Sequence, residues 1–210
     1  MLFGFMILHK YSKNILTGMA KDFPIYELTI NDEDNVGVNF ISIVDRPAIE
    51  KGWHVFNGSK HRFQLGDKEK RIVSGAAMIA NMPIYRRDNT RGEYFVMFKA
   101  DTIRKIVEKY FRNKFTSNVN MNHANVTDGV YVIESMLIDK ARGIETPKGY
   151  DELPDGSWFV SMKIDNNDVW ENFVKTGTLT GFSVEGTFIE EHLTDSSEQT
   201  IKKLIDIFAQ

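Results

Sequence analysis

Residues 24–30 (Pro24-Ile25-Tyr26-Glu27-Leu28-Thr29-Ile30) alternate in polarity and carry β-forming side chains, which predicts a strand. Polar residues 31–35 make a turn. Residues 36–44 predict a second strand, stopped at Asp45-Arg46-Pro47 because proline removes a ladder donor. Residues 53–65 set Trp53, Val55, Phe56, Phe63 and Leu65 around a polar Asn57-Gly58-Ser59 turn and predict short paired strands. The small, apolar run 71–80 predicts a buried strand, and 93–98 another. Residues 101–112 repeat Ile103, Ile106, Val107, Tyr110 and Phe111 at helical spacing. That helix is expected to pack through Ile103, Ile106, Val107 and Phe111. Strands follow at 129–138, 157–165 and 179–189, with a short helix at 168–174 and a helical tail at 196–208. Strands outnumber helices and do not alternate regularly with them. The pattern predicts an α+β, mainly β chain: an antiparallel sheet or small barrel with surrounding helices, not a doubly wound parallel sheet.

The ends read differently from the middle. The apolar run Met1 to Leu8 is far shorter than the roughly 20 residues of a membrane span. It also lacks the flanks of a secretory signal. Met19-Ala20-Lys21-Asp22 resembles a fresh start, so residues 1–18 are expected to be a flexible arm or leader, and 19–210 one domain. The other reading of 1–18 is an arm that docks on a partner through Phe3, Phe5, Ile7 and Leu8. With 42% hydrophobic and 12% aromatic residues in 210, the chain can build a core, which excludes disorder throughout. A net charge of −3 leaves no basic footprint for nucleic acid. The absence of cysteine excludes disulfides, thiolate zinc sites and a cysteine nucleophile, and fits a reducing cytosol.

Candidate chemistry is sparse. The five histidines form no HxxxH or HExxH arrangement, and there is no Gly-rich phosphate loop, so no metal or cofactor is expected. Two short motifs remain: Asn122-His123-Ala124-Asn125, just before a strand, and Gly181-Phe182-Ser183-Val184-Glu185-Gly186, inside one. A serine hydroxyl is a weak nucleophile, and an imidazole that accepts its proton makes it competent to attack a carbonyl. Flanking glycines permit close backbone approach. The spacing is GxSxxG in a strand, which argues against the strand–elbow–helix of an α/β-hydrolase. The plainer readings are a strand serine bonded to a backbone carbonyl and a turn histidine.

Taken in order, these blocks resemble the phage prohead (capsid maturation) serine proteases, in their XkdF-type branch. Val38-Asn39-Phe40-Ile41-Ser42-Ile43-Val44-Asp45-Arg46-Pro47-Ala48 is similar to that branch's "ISLVDxPA" segment. Val73-Ser74-Gly75 with Met82-Pro83-Ile84-Tyr85-Arg86 resembles "SGxxxxPxxPIYR". His123 followed by Val132-Ile133-Glu134-Ser135, and then the Gly181–Gly186 motif, resembles the branch's histidine, "VES" and "GFSxEG". The resemblance spans about residues 23–190.

It implies an endopeptidase of the herpesvirus assemblin-like fold, a small β-barrel ringed by helices, with Ser183 as nucleophile and His123 as base. It also implies the major capsid protein and scaffold protein as substrates and a site of action inside the assembling prohead in the host cytoplasm, while the charge balance and the short apolar run lead us to expect no nucleic-acid or membrane partner. A homodimer is an option by analogy with the herpesvirus enzymes. A histidine base predicts activity that rises with pH through about 6–7.

The third catalytic member does not transfer. In the other main branch of prohead proteases, an acid after the serine lies in a segment resembling "EVSxVxxPA". Here the similar segment precedes the histidine, as in a circularly permuted barrel, and Phe40 stands at the acid's position. Glu134 is the favoured replacement, with Glu185, Asp195 and Asp206 as alternatives; Glu185 shares the face of Ser183 at period two. The competing function is a catalytically silent phage structural or scaffold-type protein on the same fold.

Overall fold

A computed structural model of the protein describes residues 23–33, 35–45, 64–67, 70–193 and 199. The expected arm at 1–18, the paired strands over 53–63 and nearly all of the tail helix at 196–208 lie outside the described residues. The alternating runs near the start form β1 (Ile25–Thr29) and β2 (Gly37–Val44). β3 (Gln64–Asp67) and β4 (Ile72–Met78) follow, then β5 (Ile84–Asp88) and β6 (Gly92–Met97). Helix α1 is Ala100–Arg112. After it come β7 (Val119–Met121), β8 (Val130–Leu137) and β9 (Trp158–Ile164). A short helix α2 (Asn167–Val169), capped by the Asn166 side chain, runs on as a π turn over Trp170–Val174. The strand expected at 179–189 is split at Phe188 into β10 (Gly181–Thr187) and β11 (Ile189–His192), which pair in different sheets.

The strands form three sheets, ordered β11-β1-β6-β5, β10-β2-β7 and β3-β4-β9-β8. Pairing is antiparallel except between β1 and β6 and between β2 and β7. The mainly β class is as expected, but the described strands do not close into a barrel. Where the second and third sheets meet, β10 packs on β4 without a shared ladder. Each of these two strands carries a register shift, at Glu185/Gly186 and at Ala76/Met78, and such bulges bend a strand and interrupt its pairing.

Helix α1 packs on β2 and β9. Ile103, Ile106 and Tyr110 are fully buried and Val107 is nearly so. Phe111, expected in this stripe, is instead 39% exposed. Tyr110 continues the 103–106–107 stripe by four residues from Ile106, whereas Phe111 falls at its edge and meets Tyr110 edge-on. The Tyr110 ring is also edge-on to Trp158 and Phe115. Its hydroxyl is buried with no hydrogen-bond partner among the described residues, and burial pushes the phenol's pKa well up. A buried unpaired hydroxyl costs about 1–3 kcal/mol. Tyr110→Phe is therefore expected to raise the denaturation midpoint, by about 1 kcal/mol in a urea titration; a loss of stability would contradict this packing.

Candidate active site

The second sheet assembles the candidate site from three strands. β10 runs antiparallel to β2 with Ser183 directly opposite Ser42. On the other edge of β2, β7 runs parallel with Asn120 in register with Ser42. Residues directly opposite in a sheet have Cβ atoms about 4.5–5.5 Å apart and project to the same face. Glu185, two residues beyond Ser183, projects to that face too, and its own ladder partner is Phe40.

His123 comes from the turn after β7. Asn122 and His123 both have positive φ, 48° and 59°, and the chain returns so that Asn120 bridges Val126. Tight hairpin turns of this kind require positive φ at both central residues, and Asn and His are among the side chains that tolerate it. The turn is pinned to the end of β2: the Asn122 N–H donates to the Ile43 carbonyl (3.0 Å), and the Asn122 side-chain oxygen accepts from the Asp45 N–H (3.0 Å). Backbone of this kind clusters at functional sites, where surrounding contacts hold it.

Four side chains converge. Ser42 Oγ donates to Glu185 Oε1 at 2.6 Å, and Asn120 Nδ2 donates to the same oxygen at 2.5 Å. His123 Nδ1 lies 2.9 Å from Glu185 Oε1 and 3.1 Å from Ser42 Oγ. Proton counting fixes the imidazole. An ionised carboxylate offers no proton, and the single Ser42 proton is directed to Glu185. Nδ1 must therefore carry the hydrogen, which leaves Nε2 as the free base. Burial pushes the Glu185 carboxyl pKa upward. Hydrogen bonds from Ser42, Asn120 and His123 outweigh that and hold it below the ordinary glutamate range.

His123, Ser183 and Glu185 line a cleft of about 720 Å³, to which β5 and β6 also contribute. Ser42 is fully buried and does not line it. Of the expected pair, the structure brings Ser183 and His123 to one cleft, but no hydrogen bond joins them among the described residues. Glu134, the favoured third member, is not brought to His123. It lies exposed on β8 opposite Ser161 of β9, in the third sheet. Its strand, mostly apolar in sequence, carries exposed Ile133, Glu134 and Ser135 on either side of a register shift. The carboxylate at the imidazole is Glu185. Asp195 and Asp206 lie outside the described residues.

Sequence reasoning missed Ser42 and Asn120 as site residues. Gly186, which closes the serine motif, has a packing reason: a Cβ there would sit 2.0 Å from the Gly37 carbonyl oxygen at the β10 bulge. Among the described residues, no group of three or more acidic or histidine side chains is arranged to hold a metal ion. No helix among them is long and apolar enough to cross a membrane.

A family model described as "Putative phage serine protease XkdF" matches residues 61–191, well over half of the chain. The match includes Asn120, His123, Ser183 and Glu185 and leaves β2, with Ser42, outside it. No curated protein and no solved structure matches the chain.

Proposed function

This chain belongs to the XkdF-type family of phage serine proteases, and from that premise we propose that it is a Ser–His endopeptidase of phage head maturation, acting through Ser183, His123 and Glu185. The observation that carries this reading is the imidazole held through Nδ1 by Glu185, in the cleft that His123 and Ser183 both line. In the proposed mechanism, Nε2 takes the Ser183 proton as Oγ attacks the peptide carbonyl carbon. The imidazolium then gives that proton to the leaving amine as the C–N bond breaks. A water attacks the acyl-enzyme with His123 again as base, and the released Ser183 recovers its proton. Glu185 fixes the tautomer and stabilises the imidazolium. Ser183 is preferred over Ser42 as nucleophile because Ser42 is walled off from the cleft and its proton is committed to Glu185.

The proposed substrates are the capsid protein, the scaffold protein and the chain itself, cut inside the assembling prohead in the host cytoplasm. The resemblance to assemblin-like barrels, in a circularly permuted order, belongs to this proposal. It is supported by the adjacency of β2 and β10, which places the "ISLVDxPA"-like segment beside the serine strand. A homodimer is also carried by that resemblance.

The second reading, a silent structural protein on the same fold, draws on the missing Ser183–His123 hydrogen bond. Catalytic hydrogen bonds are often loose without substrate, so processing decides between the two. The chain would be co-expressed with the capsid and scaffold proteins of its own phage, and intact masses compared. Wild type is expected to yield shortened products. Ser183→Ala and His123→Ala are each expected to leave full-length protein, since the two side chains act as one unit. Processing that persists in Ser183→Ala would overturn the protease reading.

A further inference from the structure

One face of the first sheet lines the same cleft as Ser183. Arg86 of β5 is paired with Tyr94 of β6, and Ile84 with Val96, so these four side chains share a face, and all four line the cleft. Arg86 thus stands in the same cleft as the serine and the imidazole, in a wall that is otherwise largely apolar. The other charged groups lining the cleft are already engaged. Glu185 is bonded to Ser42, Asn120 and His123. Glu190 pairs with Arg91, which also bonds Asp88 and the Tyr94 hydroxyl. Arg86 has no carboxylate partner among the described residues; its guanidinium gives one hydrogen bond, to the Tyr85 carbonyl at 3.0 Å.

A guanidinium presents five N–H donors in a planar fork that matches a carboxylate. Partly withdrawn from water with one donor used, it is a charge waiting for a counter-ion. Its pKa is pushed down by burial, the direction expected of such a cation. The geometry points to Arg86 as the specificity residue of the cleft: it receives the side-chain carboxylate of an Asp or Glu in the bound peptide. The inference rests on the protease reading of this cleft, and it makes the enzyme selective for substrates with an acidic residue at one fixed position from the scissile bond. Arg86 is placed to bind substrate and takes no part in the bond-breaking steps.

The test uses fluorescent octapeptide pools capped at both ends, so that only a side chain can supply the carboxylate. The pools carry Glu, Gln or Lys at each position in turn. Binding to the full chain bearing Ser183→Ala, which prevents turnover, is read by anisotropy. At one position the Glu pool is expected to bind about tenfold or more tightly than the Gln pool, as a charged hydrogen-bonded pair provides. Adding Arg86→Gln is expected to abolish that preference, and Arg86→Glu to turn it toward Lys. Arg86→Gln strands no carboxylate, so its melting curve should match that of the parent. Equal binding of Glu and Gln pools, no binding of either, or a preference that survives Arg86→Gln overturns the proposal. The same pools are offered to the wild-type chain. Cleavage without acidic preference sinks the subsite and leaves the protease reading; acidic preference in binding without any cleavage does the reverse.

Discussion

Glu185→Gln is expected to lower the cleavage rate about 10²–10⁴-fold, whereas Glu134→Gln leaves it within about twofold. The amide oxygen of the substituted side chain can still accept from Ser42, so the fold of the site survives. What is lost is the negative charge that stabilises the imidazolium and holds the hydrogen on Nδ1. With a neutral partner the imidazole is free to adopt the other tautomer, whose Nε2 already carries a hydrogen and cannot take the serine proton. Glu134 sits exposed in another sheet, so removing its charge reaches none of these groups. Rates for the two variants, measured on the same capsid-protein substrate, separate the assignments. A dead Glu134→Gln with an active Glu185→Gln would reverse them.

The same carboxylate sets a pH dependence of stability. Its folded pKa lies below the ordinary glutamate value of 4.5. It therefore favours the folded state at pH values above that range, and this contribution fades as pH falls through the folded value. Glu185→Gln should lower the melting temperature in the neutral region and flatten the acid limb of the profile, so that the two proteins converge as pH falls through the carboxylate range.

Ile106→Asp is expected to destabilise the protein by several kcal/mol, enough to unfold it or lower its melting temperature steeply. Ile106 is fully buried on α1, where the helix packs on β2 and β9. A carboxylate there would be buried within the hydrophobic core cluster that Ile106 belongs to, where an ionised group is costly. β2 also carries Ser42, so a displaced helix should cost catalysis as well. Phe111→Asp, at the exposed edge of the same helix, is the control and should cost far less. Equal melting temperatures for Ile106→Asp and wild type would refute the packing.

What could be read in the chain follows from how local each signal is. Helix α1 and strands β1, β2, β4, β8 and β9 were legible because their periodicity lies within each segment. β5 was hidden because Arg86, Arg87 and Asp88 make it look like a charged loop; at the edge of its sheet, those side chains can meet solvent or the cleft. The break between β10 and β11 was invisible because both halves are β-forming, and only their different sheets separate them.

The site divides in the same way. The Ser183 and Glu185 faces follow from period two within one strand. Ser42 and Asn120 enter through pairings 143 and 65 residues distant from Glu185, which no local pattern reports. That Glu185 stands behind Glu134 in the sequence reading has a specific reason. In the other main branch of prohead proteases the acid's segment is similar to the one in which this chain has Phe40, and Phe40 is the direct ladder partner of Glu185. A carboxylate placed on the facing strand reaches the same imidazole. Comparison along the chain registers that as a lost acid, because it does not compare across a ladder.

The central claim is that Ser183 is the nucleophile activated by His123, and active-site labelling tests it most directly. The purified full chain would be treated with a fluorophosphonate, which transfers its phosphonyl group to an activated serine oxygen with loss of fluoride. Digestion and mass spectrometry then locate the adduct. The account predicts a single adduct on Ser183, strongly reduced in His123→Ala and in Glu185→Gln. An adduct on Ser42, or labelling of Ser183 that is unchanged without His123, would contradict it.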